Sequence, residues 1–438
     1  MKKRLFVLLL GVLSCALLSG CSSSNRDWEI KKLEDGTAEI TKYNGTVAEV
    51  KIPEEIEGKA VTRIGYSAFR FNKTVTSITI PYGITKIDNS AFSYCDNLEE
   101  IFLPYSLKTI GDFAFGYCTK IKKIVIPDGV EQISSNAFSG CKSITEIIIP
   151  DSVKTIGGRA FTNCESLKEI TIPGAAEFES GNPFSGCKQL EKINISGRNG
   201  DWWIDSNGML LQRQIVEHLI WCPGEAEVEE ITVPRVGAIG DSAFDGFALL
   251  KTVTLPDSVG IIGDAAFSDC KALSDINFPA KVLYIGYGAF SGCESLKTVD
   301  ISHCSLDKID GSVFSRCRSL SSLKFPRNIT EIGWNAFEKC TSLTQVELPA
   351  KLEIIGNSAF RGCVALSDVV IPDSVTQIGD EAFSGCNALK QIIVPYSVTE
   401  IGENAFSNCP ELTIYVVRGT YAEKYCQEKE LKFEYRQD

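Results

Sequence analysis

Cysteine is the residue type in this chain with the most capacity for chemistry. Of seventeen, twelve recur at near-constant spacing, at positions 95, 118, 141, 164 and 187, then 270, 293, 317, 340, 363, 386 and 409. Such a column invites three chemistries: bridges, metal ligation or nucleophilic attack. No Cys-x-x-Cys occurs, so neither a zinc ribbon nor a thioredoxin-type redox site has support. Neighbour-to-neighbour disulfides would leave one member unpaired in each block of five and seven. The alternative is a file of free thiols acting as small buried hydrophobes. Cys222, Cys304 and Cys426 stand outside the column and receive no assignment. The only histidines are His218 and His303, too few for a histidine metal centre or a multi-histidine catalytic site. Gly-rich phosphate loops, Gly-x-Ser-x-Gly elbows and His-Glu-x-x-His are absent, and no carboxylate pair stands out as acid and base. The reading is a non-enzyme with no cofactor and no metal.

Charge narrows the partners. Fifty-six acidic residues against 44 basic give a net charge of −12, and removing Lys2, Lys3 and Arg4 with the first twenty residues leaves −15. Phosphate backbones need a positive surface, so nucleic acid is excluded as a partner. Residues 1–20 read as an export signal: a basic start, then an apolar run from Leu5 to Leu18, short of the roughly 20 residues that span a bilayer. Leu18-Ser19-Gly20-Cys21 resembles a lipobox, which would make Cys21 a lipidated first residue and 21–27 a tether holding the chain to a membrane. A simple cleaved signal with a chance cysteine is the alternative.

The elements that carry the cysteines follow from a repeat. Phe recurs at 69, 92, 115, 138, 161 and 184, then 244, 267, 290, 314, 337, 360, 383 and 406, with intervals of 23 and a single 24 inside the blocks. Ala precedes the Phe in twelve of fourteen copies, the exceptions being Pro183 and Val313, and Cys follows three residues later in all but the copies with Asn72 and Phe247. In the copy from Leu98 to Cys118, a short strand ends at Pro104, which has no N–H for a ladder, and Gly111 marks a tight turn. One such unit cannot bury its own apolar face, so about fourteen coils must stack into a β-rich solenoid with short strands.

The motif Leu-x-x-Ile-x-Ile-Pro-x-x-Val-x-x-Ile-Gly-x-x-Ala-Phe-x-x-Cys resembles the BspA-like class of bacterial leucine-rich repeats across about residues 60–417. Asp35-Gly36 to Pro53 resembles that family's entry hairpin, and Leu412 to Tyr425 its closing strand and short helix. The resemblance implies a right-handed leucine-rich repeat solenoid, exported or displayed on a cell surface, of a kind often proposed to bind host or neighbouring-cell proteins. It implies no catalytic residues and transfers no binding residues. The expected organisation is an N-terminal cap hairpin over 28–59, a first repeat block over 60–195, a hairpin insert over 196–233, a second block over 234–417 and a C-terminal cap over 418–438.

Within each strand the first, fourth and sixth positions are apolar and point inward, which leaves the fifth as an outward column. That column carries two apolar stripes: Phe102, Val125 and Ile148, then Val370, Ile393 and Val416. A contiguous apolar stripe marks an interaction site, although β-branched residues also favour strands for their own sake. Charges beside the column alternate in sign between coils, as with Glu99 and Glu100 next to Lys122 and Lys123, a pattern that supports register. The insert holds Trp202, Trp203 and Trp221 and a hairpin signal at Asn207-Gly208. Exposed indoles there would stack on a glycan or anchor a protein; buried ones would seal the junction of two stacks. Three functions result: a protein-binding surface module, a glycan-binding accessory protein, or a passive spacer.

Overall fold

The computed structural model describes residues 25–179, 182–197, 202–213, 217–223 and 227–436. The export segment and Cys21 lie outside these described residues. The chain winds into a β-solenoid of about seventeen turns once cap and insert turns are counted with the fourteen Phe-bearing coils.

Each coil has three sides. The first carries strands such as Glu100–Phe102, the second pairs such as Thr109–Ile110, and the third a string of turns that contains the Ala-Phe step. Coils stack in parallel with a register of one repeat, so Ile78 faces Ile101 and Ile87 faces Ile110. The third side has no strand, yet it is hydrogen-bonded from coil to coil: the N–H groups of Phe92, Phe115 and Phe138 each donate at 2.8 Å to the carbonyl of the next coil's alanine. Every backbone group must find a partner when buried, and this ladder lets a turn region pack as tightly as a sheet.

Inside it the phenylalanine rings stack. Neighbours from Phe92 to Phe161 lie 5.3–5.6 Å apart and within 10° of parallel. The cysteine column runs beside them as unbridged thiols, eleven of the twelve buried and Cys409 partly so. Each Sγ donates to the carbonyl of the phenylalanine one coil back, as in Cys118 to Phe92 at 3.1 Å. The type of side chain thus follows from the site: it must be small, apolar enough for a core, and able to satisfy one carbonyl. Burial pushes the Cys141 thiol up to about 12, so the donor proton is held.

The ends are sealed by different devices. At the start, Trp28–Lys32 pairs antiparallel with Ala38–Tyr43, and Trp28 and Tyr43 cover the ring of Phe69 at 6.0 and 4.9 Å. Coil pairing begins before residue 60, since Glu49–Lys51 already lies along Ser77–Thr79. At the far end the helix Tyr421–Glu428, capped by Thr420, lays Tyr425 edge-on against Phe406 at 6.3 Å, and Phe433–Tyr435 closes the last sheet.

Among the described residues, the third side is the one that bonds directly from block to block. The backbone N–H of Asn182 donates to the Asp241 carbonyl at 3.1 Å, and its buried side-chain amide donates to Ser242 at 3.0 Å, sixty residues on. On the second side the insert forms an antiparallel meander, Trp202–Ile204 with Leu210–Arg213 with Glu217–Trp221, that rejoins the stack along Ala238–Ile239. Asp205 Oδ1 accepts from the N–H groups of Asn207 and Met209, closing the turn at Asn207-Gly208.

Candidate interaction surface

On the first side, alternation along each short strand turns the fifth position outward. Phe102 is 56% exposed, Val125 65%, Ile148 58%, Val370 66% and Ile393 37%. Val125 lies in no strand, and its coil meets that of Phe102 through a single bridge from Glu100 to Lys123, yet Phe102 and Val125 border one groove and Val370 and Ile393 another. Phe102 and Val125, with Ile101, Leu103, Tyr105 and Pro127, border a shallow groove of about 350 Å³. A second groove of about 440 Å³ lies between Val370, Ile393 and Tyr415.

Val416 is not part of the second stripe. It is fully buried, and Tyr415 occupies the outward position opposite Ile393. The cause is one missing residue: Leu412 and Ile414 are two apart where Leu389 and Ile392 are three apart, and a one-residue slip reverses the faces of a strand.

The insert tryptophans also differ from a ligand platform. Trp202 and Trp221 are buried. The indole Nε1 of Trp202 donates to Ala176 at 2.9 Å, its ring meets Phe178 at 4.5 Å, and Trp221 lies edge-on to Phe184 at 6.4 Å. They cover Phe178 and Phe184 at the end of the first phenylalanine stack, and burying large rings there is worth more than exposing them. Trp203 is half-buried, with the Arg213 guanidinium 5.6 Å over its ring.

The two stripes are separated by charge. Lys324 Nζ lies 2.9 Å from Asp300 Oδ2, and Asp300 is held at about 2 by the Ser302 hydroxyl and then by Lys324. Opposite charges also meet across coils at Glu99 with Lys122, 3.5 Å, and at Glu131, which sits between Lys108 at 3.6 Å and Lys154 at 2.7 Å. Exposed pairs of this kind contribute little to stability; they join neighbouring coils in register.

One set of surface aromatics, Phe71 exposed and Tyr94 and Tyr117 half-buried, was not singled out by the column argument. Phe71, Tyr94 and Tyr117 stack at 5.0 and 4.7 Å along the corner where the third side turns into the first. All three have left-handed backbones, with φ of 63°, 60° and 61°. The same position is Gly, Asn or Asp in nine of fourteen repeats, residues that adopt this conformation readily, so three aromatics in succession accept a steric cost. The signal was present as a break in that column's composition. Tyr82 and Tyr105, 77% and 75% exposed after the strand-ending prolines, add to the same end of the molecule. Eight of the eighteen exposed large hydrophobics fall between Tyr66 and Ile148, so the apolar surface is concentrated in the first Phe-bearing coils.

The histidines are apart from this surface and from each other. His303 Nε2 lies 2.6 Å from the Phe278 carbonyl, and His218 is half-buried at the junction, its pKa lowered by burial. Among the described residues no cluster of three His, Cys, Asp or Glu could hold a metal ion.

Comparison with known proteins agrees with this architecture. A leucine-rich cell surface protein from Faecalibacterium prausnitzii is 26% identical, with 94% of this chain and 98% of that one covered and a TM-score of 0.51. A leucine-rich repeat protein from Eubacterium ventriosum is 24% identical over 86% and 91% of the two chains, with a TM-score of 0.59, a likeness of fold. No curated protein matches. The repeat itself matches the family described as the BspA type leucine rich repeat region, in six copies over residues 42–145, 113–200, 237–365 and 353–426. With the sequence pattern, the stacked coils and the matched segments covering most of its length, the chain belongs to the BspA-type leucine-rich repeat family.

Proposed function

We propose that this protein is an exported, non-catalytic binding module that recognises a protein partner on a host or bacterial surface through the first side of its N-terminal coils. The observation that supports the reading most directly is the exposed Phe102, Val125 and Ile148 stripe, with its groove and the neighbouring tyrosines. Aromatic and aliphatic anchors beside a shallow concavity are what a protein interface concentrates its energy on. The surface description of the Faecalibacterium relative accords with export. Membrane attachment through a lipid on Cys21 belongs to the same reading. Burial of Trp202 and Trp221 removes the ring faces that a glycan would need at the insert, so sugar binding there is not proposed.

The test combines surface-accessibility labelling with capture of proteins from matrix or co-resident bacterial extracts, comparing the wild type with Phe102→Asp and Val125→Asp. Proteins enriched by the wild type and lost from both variants, with unchanged thermal transitions, support the proposal. Equal enrichment by all three would overturn it. Retention of Cys21→Ser in the membrane fraction would overturn the anchor alone.

A further inference from the structure

Trp334 is the one indole of the five that faces solvent, half its surface exposed, since Trp28, Trp202 and Trp221 are buried and Trp203 half-buried. It follows the Ile332-Gly333 step, on the corner between the second and third sides. In six coils this position is an Asn or Asp whose side-chain oxygen accepts a backbone N–H from the next coil, as with Asp112 N–H to Asn89 Oδ1 at 3.0 Å and Glu403 N–H to Asp380 Oδ1 at 2.7 Å. Tyr66, Tyr287 and Trp334 place aromatic rings there instead, and Gly311 stands in the coil between the last two.

The glycine is what makes the pair. A Cβ at Gly311 would lie 2.7 Å from Trp334 Cε2 and Nε1, so only glycine lets the indole lie against the backbone of that coil. Leaning across it, the indole reaches Tyr287 with ring centroids 5.0 Å apart and a 32° tilt. A side chain that exposes half its area while held against main chain is pre-organised, and a partner need not order it.

Its surroundings are acidic. Asp264 Oδ1 accepts the Tyr287 N–H at 2.8 Å and the Tyr284 hydroxyl at 3.3 Å. Asp310 precedes Gly311 and has Lys308 at 3.3 Å. The Tyr284 phenol is pushed up to about 12 by burial first, and then by Asp264, Asp310 and Asp241.

We propose that Trp334 and Tyr287, flanked by Asp264 and Asp310, form a docking point for an arginine- or lysine-bearing segment of a partner protein. A cation is drawn to an indole and to carboxylates at once. An apolar partner would instead cover Asp264 and Asp310 without compensating them, which is costly. The site lies on a different corner from the apolar stripe of the first side and uses different chemistry, so it stands whether or not that stripe binds protein.

The experiment uses the full chain and a labelled nona-arginine peptide, with nona-glutamate as control, following tryptophan emission and peptide anisotropy. The expected result is saturable binding that weakens with added salt and falls roughly fivefold to tenfold in Trp334→Ala. The double variant Asp264→Asn, Asp310→Asn should weaken binding likewise while keeping an acceptor for the Tyr287 N–H. Phe102→Asp should bind as the wild type does, which separates this site from the first-side surface. Equal affinity of the wild type and both corner variants would mean only diffuse attraction to a chain of net charge −12 and would overturn the proposal. So would an emission change with a neutral oligosaccharide and none with the peptide.

Discussion

At the scale of single residues, the phenylalanine and cysteine columns make the firmest predictions. Phe115 and Phe360 are fully buried between parallel rings, so Phe115→Ala or Phe360→Ala should cost about 3–5 kcal/mol, read as a fall in the denaturant midpoint. The thiols add a pH dependence whose sign is fixed by their environment. Burial raises Cys141 to about 12 and Cys426 to about 11, above the ordinary value of 9.0, because the folded protein favours the neutral form. Above about pH 9 the unfolded chain loses these protons while the folded one keeps them, so stability present below that pH declines as pH rises toward 11 and 12. Thermal unfolding between pH 8 and 11 should show the midpoint falling through that range. A thiol reagent at pH 8 should label the native protein slowly and the unfolded one at every column position. The sequence alone left bridge and free thiol open, because spacing shows that the cysteines are neighbours and not that each sulfur has a carbonyl to serve.

At the scale of the coil, register decides which substitutions are tolerated. In ten of fourteen coils a glycine follows the inward position, and consecutive turns can approach closely there: a Cβ at Gly402 would lie within 2.5 Å of Asp380 N and of Gly379 C. Gly402→Ala should therefore destabilise far more than its exposed neighbours would suggest, whereas Phe102→Asp and Ile393→Asp, on the outward column, should leave the thermal transition nearly unchanged. A collapse of the transition in either would mean the strand faces are reversed. Much of this level was legible beforehand, since a fixed period assigns inward and outward positions at once. Val416 was misplaced because the period was carried one coil too far, although the shortened Leu412 to Ile414 step was there to be read. The insert was less legible. Nothing in a non-repeating segment says whether Trp202 and Trp221 face solvent or the open end of a stack, and the answer depends on Ala176, Phe178 and Phe184, which arrive from the preceding block.

For the whole molecule, about seventeen turns at roughly 4.8 Å each give a rod about 80 Å long, and a scattering profile should show that elongation. Stability in such an array is close to a sum over neighbours, so its weakest joint is where fewest ladders cross. That joint lies between Phe184 and Phe244, where among the described residues the third side carries the direct hydrogen bonds from block to block and the insert bridges the second. Asn182 supplies a buried amide to Ser242 and accepts the Phe184 N–H at 2.9 Å. Asn182→Ala should raise amide exchange in the 182–244 region ahead of either block, and uniform exchange along the rod would contradict a localised joint.

The strict one-repeat register has an evolutionary corollary. Because each coil presents to the next the same columns that it received from the one before, a gene that duplicates or drops a whole unit of 23 codons leaves every remaining joint chemically intact. Adding or losing a whole unit then needs no new kind of joint, and within this chain the outward residues differ from copy to copy while the concealed ones stay nearly uniform.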